Sequence, residues 1–437
     1  MAEPGASGTN RHRSRVRAAG HWLLANLLPG ILSTTIVLGI SLAAGEITLR
    51  RVAPFNQISW PTQFDPRYGW NFVPGATVNW TNHLNDWAST RVNSIGFLDR
   101  EPPAAGAHPG VCRVALIGDS FVEAPQVPLA DKFQTVFEDL ANARRPAGRR
   151  VQTIALGFDG TGQSNQLPFY DVFARPLQPD VVVLVFVAND FANNSTWLES
   201  IRNGWSPQHP PRLFFEPGTA PGMYTSVPID PLWVNDLLLP APDASGQPSH
   251  LISYLADHSY FYNWLYAGFL SHSAPLSAWL MGEPWPWARV YRYREMEIEN
   301  SVGDTAMFGD WNPEQVDMDS MFAQPELPPV FNAALLSTGY ALDEFKLRSL
   351  RDGFHLVIFV TSSLSPVGPG RLAFQRLQTL AADRGIDLVS QPGYITSIGH
   401  DVSEASFKYD IHWNAQGHRW AAEALWQYFQ SHPGLCA

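Results

Sequence analysis

VALIGDS (residues 114–120) is an apolar, β-branched run that stops abruptly at Gly-Asp-Ser, and it opens a series of such runs set between helical patterns. VQTIALG (151–157) and DVVVLVFVAND (180–190) follow, with helical patterns around 130–145 and near 163–175 between and after the runs. HLVIFVTSS (355–363), a helix at 370–384, IDLVS (386–390) and a last helix from about 414 to 431 complete the alternation. Strands that are apolar on both faces and separated by helices predict a parallel sheet covered on both sides, the α/β class.

Outward from this frame the chain changes character twice. Residues 52–108 read as short strands and turns, because Pro54, Pro61, Pro66, Pro74, Pro102 and Pro103 break any long helix. They form an approach segment, not a second catalytic domain. Between 193 and 329 the alternation stops and tryptophan and proline accumulate: Trp205, Trp233, Trp264, Trp279, Trp285, Trp287 and Trp311. An insertion placed after a strand's carboxyl end lies where α/β proteins bind ligands, so it reads as a lid or substrate wall whose tryptophans stack on sugar rings, or as plain packing of a small extra core. LADHSYFYNWLY (255–266) reads as one amphipathic helix within it. The sheet-forming unit is thus expected over 109–192 and 330–437.

The N-terminus is of another kind. Arg11, Arg13, Arg15 and Arg17 make residues 1–20 a basic tail, and 22–45 (WLLANLLPGILSTTIVLGISLAAG) hold no charged residue. About 20 apolar residues cross a bilayer. Arginines before the run and an acidic body after it fit a single-pass signal anchor at the inner (cytoplasmic) membrane, with the body outside, in the periplasm. The rival reading is a signal peptide cleaved after Ser41-Leu42-Ala43; the blandest is a buried core helix, against which stand Asn26, Pro29, Gly30 and the flanking arginines. The chain's 40 acidic against 29 basic residues oppose general affinity for nucleic acid or anionic lipid. Two cysteines rule out a disulfide-rich scaffold and a zinc site built on cysteine pairs. In an exported body, Cys112 before the first strand and Cys436 after the last helix can meet at one sheet edge as a disulfide, the alternative being two unpaired thiols.

The chemistry gathers at strand ends. Ser120 ends the first run and opens a helix, where free N–H groups stabilise developing negative charge; it reads as a nucleophile, or as an ordinary helix cap. Asn189 in VAND can aim its amide at an oxyanion, and the backbone N–H groups of Gly160, in GFDGTG (157–162), and of Ser120 can join it. Turn chemistry explains each of these singly as well. GFDGTG does not match the dinucleotide-binding G-x-G-x-x-G pattern. YDIHWNAQGH (409–418) puts Asp410 two residues before His412, so one short loop can supply a base and the acceptor that orients it. His412 alone could equally be a satisfied, half-buried histidine, and His418, inside the helix, reads as structural.

Taken together, GDSF at 118–121, Gly160, Asn189 in VAND and D-x-H at 410–412 resemble the four consensus blocks of the SGNH/GDSL hydrolase superfamily. NSIGFLDRE (93–101) resembles the segment that precedes GDSF in membrane-anchored bacterial members. The resemblance covers roughly 110–192 and 335–430. It implies a flavodoxin-like three-layer α/β/α sandwich, acyl-ester hydrolysis or transfer, and neither metal nor cofactor. By position it makes Ser120 the nucleophile, Gly160 and Asn189 oxyanion donors beside the Ser120 N–H, His412 the base and Asp410 its orienting acid. Two departures stand out: Val187 occupies a position that is usually glycine, and the tryptophan-rich insertion exceeds the minimal core.

The expected activity is a serine esterase acting on an acylated small molecule or glycan. An O-acyltransferase or deacetylase working on exported polysaccharide would use the same acyl-enzyme. A membrane-tethered binding or assembly protein that keeps the fold without the rate is the reading from a different class.

Overall fold

The computed structural model describes residues 8–106, 109–144, 149–203, 209–218, 222–230, 250–270, 307, 309, 311, 316–361, 363–408 and 410–436, with side chains from residue 28 onward save 250 and 253. Five parallel strands form the central sheet: β1 (Val111–Gly118), β2 (Arg150–Gly157), β3 (Val181–Phe186), β4 (His355–Val360) and β5 (Asp387–Ser390). Their spatial order is β2-β1-β3-β4-β5. The chain therefore winds outward in both directions from β1, and the crevice at the carboxyl ends of β1 and β3 is the topological switch point at which such sheets place ligands.

Both faces of the sheet are dry. Along β3, Val182, Leu184 and Phe186 join one apolar layer while Val181, Val183 and Val185 join the other, and β1 alternates in the same way. The first layer is closed by a helix at Gln163–Phe169 and by the long helix Pro329–Asp352, which contributes Phe331, Ala334, Leu342 and Phe345. The second is closed by Phe133–Arg144 and by Ala415–Ser431, with Phe137, Leu425 and Phe429 at the contact. Helix, sheet and helix make the three-layer α/β/α sandwich expected from the alternating runs. Pro329–Asp352 is one helix that reading along the chain does not single out; Pro328 and Pro329 start it, and Gly353, at φ +79°, stops it.

The approach segment forms two antiparallel hairpins, Thr62–Asp65 with Gly69–Phe72 and Thr77–Thr81 with Trp87–Arg91. Phe72 and Phe97 are fully buried in the first layer, against Phe158 and Phe169, so this segment packs on the sheet. Cys112 and Cys436 are joined in a disulfide, with Cα atoms 5.3 Å apart.

Gly8–Val52 is one continuous helix that runs through Pro29. Its portion Leu28–Val52 has mean hydropathy 1.7 and none of it is buried, so by length and composition it can cross a membrane. The absence of burial rules out the core-helix reading for these residues. LADHSYFYNWLY is a correction: two helices, His250–His258 and Tyr260–Leu265, replace the single expected one. Ser259 breaks them by turning extended and accepting the Tyr262 N–H, while Glu46 near the C-terminal end of the long helix accepts from the Ser259 hydroxyl and the N–H groups of Tyr260 and Phe261. Of the insertion's tryptophans, Trp311 is buried in the core and donates to the Val316 carbonyl, and Trp264 packs on Phe261 and Phe269. Trp205, Trp233, Trp279, Trp285 and Trp287 lie outside the described residues.

Candidate active site

The turn after β1 sets the first functional group. Asp119 caps the short helix Ser120–Glu123, its carboxylate accepting the Phe121 N–H, so the cap is Asp119 and the Ser120 hydroxyl is left for other work. This turn lies close over the end of β2: a Cβ on Gly157 would stand 2.2 Å from the Glu123 nitrogen, which only glycine avoids. Ser120 is 7% exposed, at the rim of the switch-point crevice.

From the far end of the sequence, the strand Asp410–Trp413 pairs with Ser406–Phe407 and enters the same crevice. Trp413 is its wedge, 1% exposed and packed edge-on against Phe121 and Phe133. Asn414 ties the loop down: its amide donates to the carbonyls of Glu404 and Ser406, and its oxygen caps the following helix. Held in this way, His412 Nε2 lies 2.8 Å from Ser120 Oγ, and His412 Nδ1 lies 2.5 Å from Asp410 Oδ1. The same carboxylate oxygen accepts the His412 backbone N–H at 2.9 Å.

The electrostatics follow from these contacts. Burial works against a charged imidazole at His412, but the Asp410 hydrogen bond and charge, with the charges of Asp119 and Asp159, together hold its pKa above the ordinary value. Burial pushes Asp410 the other way, yet the His412 contacts hold its carboxyl below the usual range. His418 is 1% exposed, and its Nδ1 accepts the Phe133 N–H at 3.1 Å. Burial, with the charges of Lys132 and His412, depresses its pKa to about 3, which keeps it a neutral acceptor.

Gly160 and Asn189 stand on the turns after β2 and β3, at the same rim. Gly160 is left-handed, at φ +62°. Asn189 Nδ2 donates to Asn193 Oδ1 at 2.8 Å and, more weakly, to Asp119 Oδ2 at 3.3 Å. Asp119 is fully buried; desolvation first, then the nearby Asp159 charge, raises its pKa to about 6. Val187 is 2% exposed within the second apolar layer, so its side chain is absorbed by the core. A cleft of about 860 Å³ adjoins Asp410, lined by Ser363, Glu404, Phe407 and Ile411 among others. Among the described residues no group of three or more His, Cys, Asp or Glu side chains could hold a metal ion.

Three groups escape a reading of the sequence alone. Asn193, Glu199 and Arg212 gather behind the Gly160 and Asn189 turns through side-chain hydrogen bonds. Asn193 and Glu199 belong to no local pattern, and Arg212 comes from the insertion. Only the folded chain makes them neighbours.

No protein-family model matches the chain, and no curated protein matches it either. Among solved structures it is similar to the acetylxylan esterase Axe2 from Geobacillus stearothermophilus, at 10% identity and TM-score 0.34, covering 72% of this chain and 92% of that one. A putative GDSL-like lipase from Parabacteroides merdae aligns at 8% identity and TM-score 0.35, over 76% of this chain and 100% of the other. The acetyl xylan esterase AlAXEase aligns at 10% identity and TM-score 0.34, over 72% and 98%.

Proposed function

We propose that the chain is a serine-dependent acyl-ester hydrolase of SGNH/GDSL type, tethered to the cytoplasmic membrane by its N-terminal helix with the catalytic body outside. The observation that carries this reading is the unbroken hydrogen-bonded line from Ser120 Oγ through His412 to Asp410. The apolar exposed helix Leu28–Val52 and the Cys112–Cys436 disulfide support the tether and the oxidising side of the membrane.

In the forward step His412 Nε2 takes the Ser120 proton as Oγ bonds to the ester carbonyl carbon, and Asp410 stabilises the imidazolium at Nδ1. The carbonyl oxygen gains the charge and is met by the N–H groups of Ser120 and Gly160 and by the Asn189 amide, whose long contact to Asp119 is the one an oxyanion displaces. Collapse breaks the ester C–O bond, His412 returns the proton to the leaving alcohol, and the acyl group stays on Ser120. Water then bonds to the acyl carbon as it gives a proton to His412, the bond from that carbon to Ser120 Oγ breaks, His412 returns the proton to Oγ, and the acid leaves. The chemistry asks for no cofactor. The substrate class is an acylated small molecule or glycan, reached from the rim of the sheet; nucleic acid is not a partner of a chain with this acidic balance.

The test is direct. Purified full chain in detergent is treated with a fluorophosphonate and assayed on p-nitrophenyl acetate. Covalent labelling mapped to Ser120 together with ester turnover is expected. Absence of both from folded protein would leave only a non-catalytic role. Adding oligosaccharide acceptors separates water from a sugar hydroxyl as the second-step nucleophile.

A further inference from the structure

Oxyanion donors stabilise a transition state only if their direction is set before the charge develops. Gly160 and Asn189 both stand on turns outside the sheet ladder, so something else must hold them. We infer that Glu199 and Arg212 form one positioning unit that sets both donors, an inference that rests on the function proposed above.

Arg212 reaches in from the segment beyond β3, with its side chain 13% exposed. Its Nη1 donates to the Gly160 carbonyl and its Nη2 to the Asp159 carbonyl at 3.2 Å. These carbonyls belong to the two peptide planes that flank the Gly160 α-carbon. The Asp159 C=O shares its plane with the Gly160 N–H, and in a trans peptide the two point opposite ways. Gripping that oxygen therefore turns the Gly160 N–H away from Arg212, and gripping the next carbonyl as well holds the left-handed φ between them.

Glu199 links this grip to the other donor. Its side chain is 1% exposed, so its charge must be matched by close partners. Oε2 accepts from Arg212 at 3.4 Å and from Asn203 at 3.1 Å; Oε1 accepts from Asn193 Nδ2 at 2.7 Å and faces Arg202 at 3.4 Å. Asn193 Oδ1 in turn holds one N–H of Asn189, at 2.8 Å. One buried carboxylate thus governs two donors, Gly160 through Arg212 and Asn189 through Asn193. The segment that carries Arg212 is itself fixed, since Asn165 Nδ2 donates to the Leu213 carbonyl at 2.8 Å. The first leg of the insertion is, on this reading, part of the catalytic apparatus.

The test uses the full chain and four variants: Arg212→Met, Arg212→Lys, Glu199→Gln and the double Glu199→Gln/Arg212→Met. Turnover of p-nitrophenyl acetate is measured across pH, with the inhibition constant of an alkyl boronic acid, which binds serine as a tetrahedral anion. Arg212→Met and Glu199→Gln are expected to lower kcat about 10- to 100-fold, somewhat less than loss of a donor itself. Boronate affinity should fall in parallel, KM should change little and the His412 limb of the pH profile should stay in place. Arg212→Lys should recover part of the loss. Should Arg212→Met fail to fold because Glu199 is left charged and buried, the double variant, which removes that charge, carries the same expectation. Folded variants with wild-type kcat and boronate affinity overturn the positioning role alone. A wild-type chain that neither labels nor turns over ester overturns the proposed function, and this inference with it.

Discussion

His412 Nε2 and Ser120 Oγ lie 2.8 Å apart although 292 residues separate them in the chain. The contact joins the end of β1 to a two-stranded turn that precedes the last helix, and Trp413, wedged between Phe121 and Phe133, keeps that turn against the sheet. A serine hydroxyl and an imidazole placed this closely, with the far ring nitrogen on Asp410, are arranged for proton transfer along one line.

Removing the nucleophile tests that line most simply. Ser120→Ala should leave the fold intact, since Asp119 and not Ser120 caps the local helix. It should abolish fluorophosphonate labelling and lower kcat by roughly 10⁴-fold or more. Retained labelling at another residue, read by peptide mapping, would show a different nucleophile.

The pH dependence has a definite sign. His412 must be neutral to accept the serine proton, so activity rises as pH climbs through its pKa. Burial lowers that pKa, but the Asp410 hydrogen bond and charge, with the charges of Asp119 and Asp159, together raise it, so the acid limb of kcat/KM is expected above that of an ordinary imidazole. Asp410→Asn should move the limb to lower pH while the plateau falls by roughly 10⁴-fold. A limb that stays where it was would mean that another group titrates.

Asn189→Ala should cost about 10²–10³ in kcat with little change in melting temperature, because its amide contacts side chains at the rim and not the apolar layers. Steady-state kinetics beside a thermal melt distinguish this from loss of folding.

Gly157→Ala addresses the scaffold. The added methyl would meet the backbone of Val122 and Glu123, which no rotamer change can relieve. Destabilisation of about 1–3 kcal/mol is expected, together with displacement of Ser120, and denaturant unfolding with serine labelling reads both.

The Cys112–Cys436 bridge closes a separation of 324 residues. Replacing both cysteines by serine should lower stability by on the order of 2–4 kcal/mol, chiefly by freeing the unfolded chain. Activity at low temperature should persist, since the bridge lies at the opposite end of β1 from Ser120. A matching drop in the wild type under reductant would tie the effect to the bond.

Local pattern was enough to define the sheet, its parallel sense and the exposed N-terminal helix, because burial on both faces writes itself as unbroken apolar runs and a helix apolar enough to cross a membrane as a long uncharged one. It singled out Ser120 and Asn189 at the ends of strand runs and Asp410 and His412 by their D-x-H spacing before the last helix, but ordinary cap, turn and core readings remained open for them, and only the resemblance of the set gave them roles. It left undecided whether Ser120 is a nucleophile or only the cap of its helix; in the folded chain the cap is Asp119, a matter of one hydrogen bond to the Phe121 N–H. Ser259 went unnoticed as a helix break: it accepts the nearby Tyr262 N–H, but the Glu46 carboxylate that takes its hydroxyl and the next two N–H groups lies 213 residues away. Arg212 and Glu199 were invisible for the same reason. Their partners are backbone carbonyls and amides on other turns, and such contacts depend on geometry that no run of residue types encodes; they exist only once the chain has closed on itself.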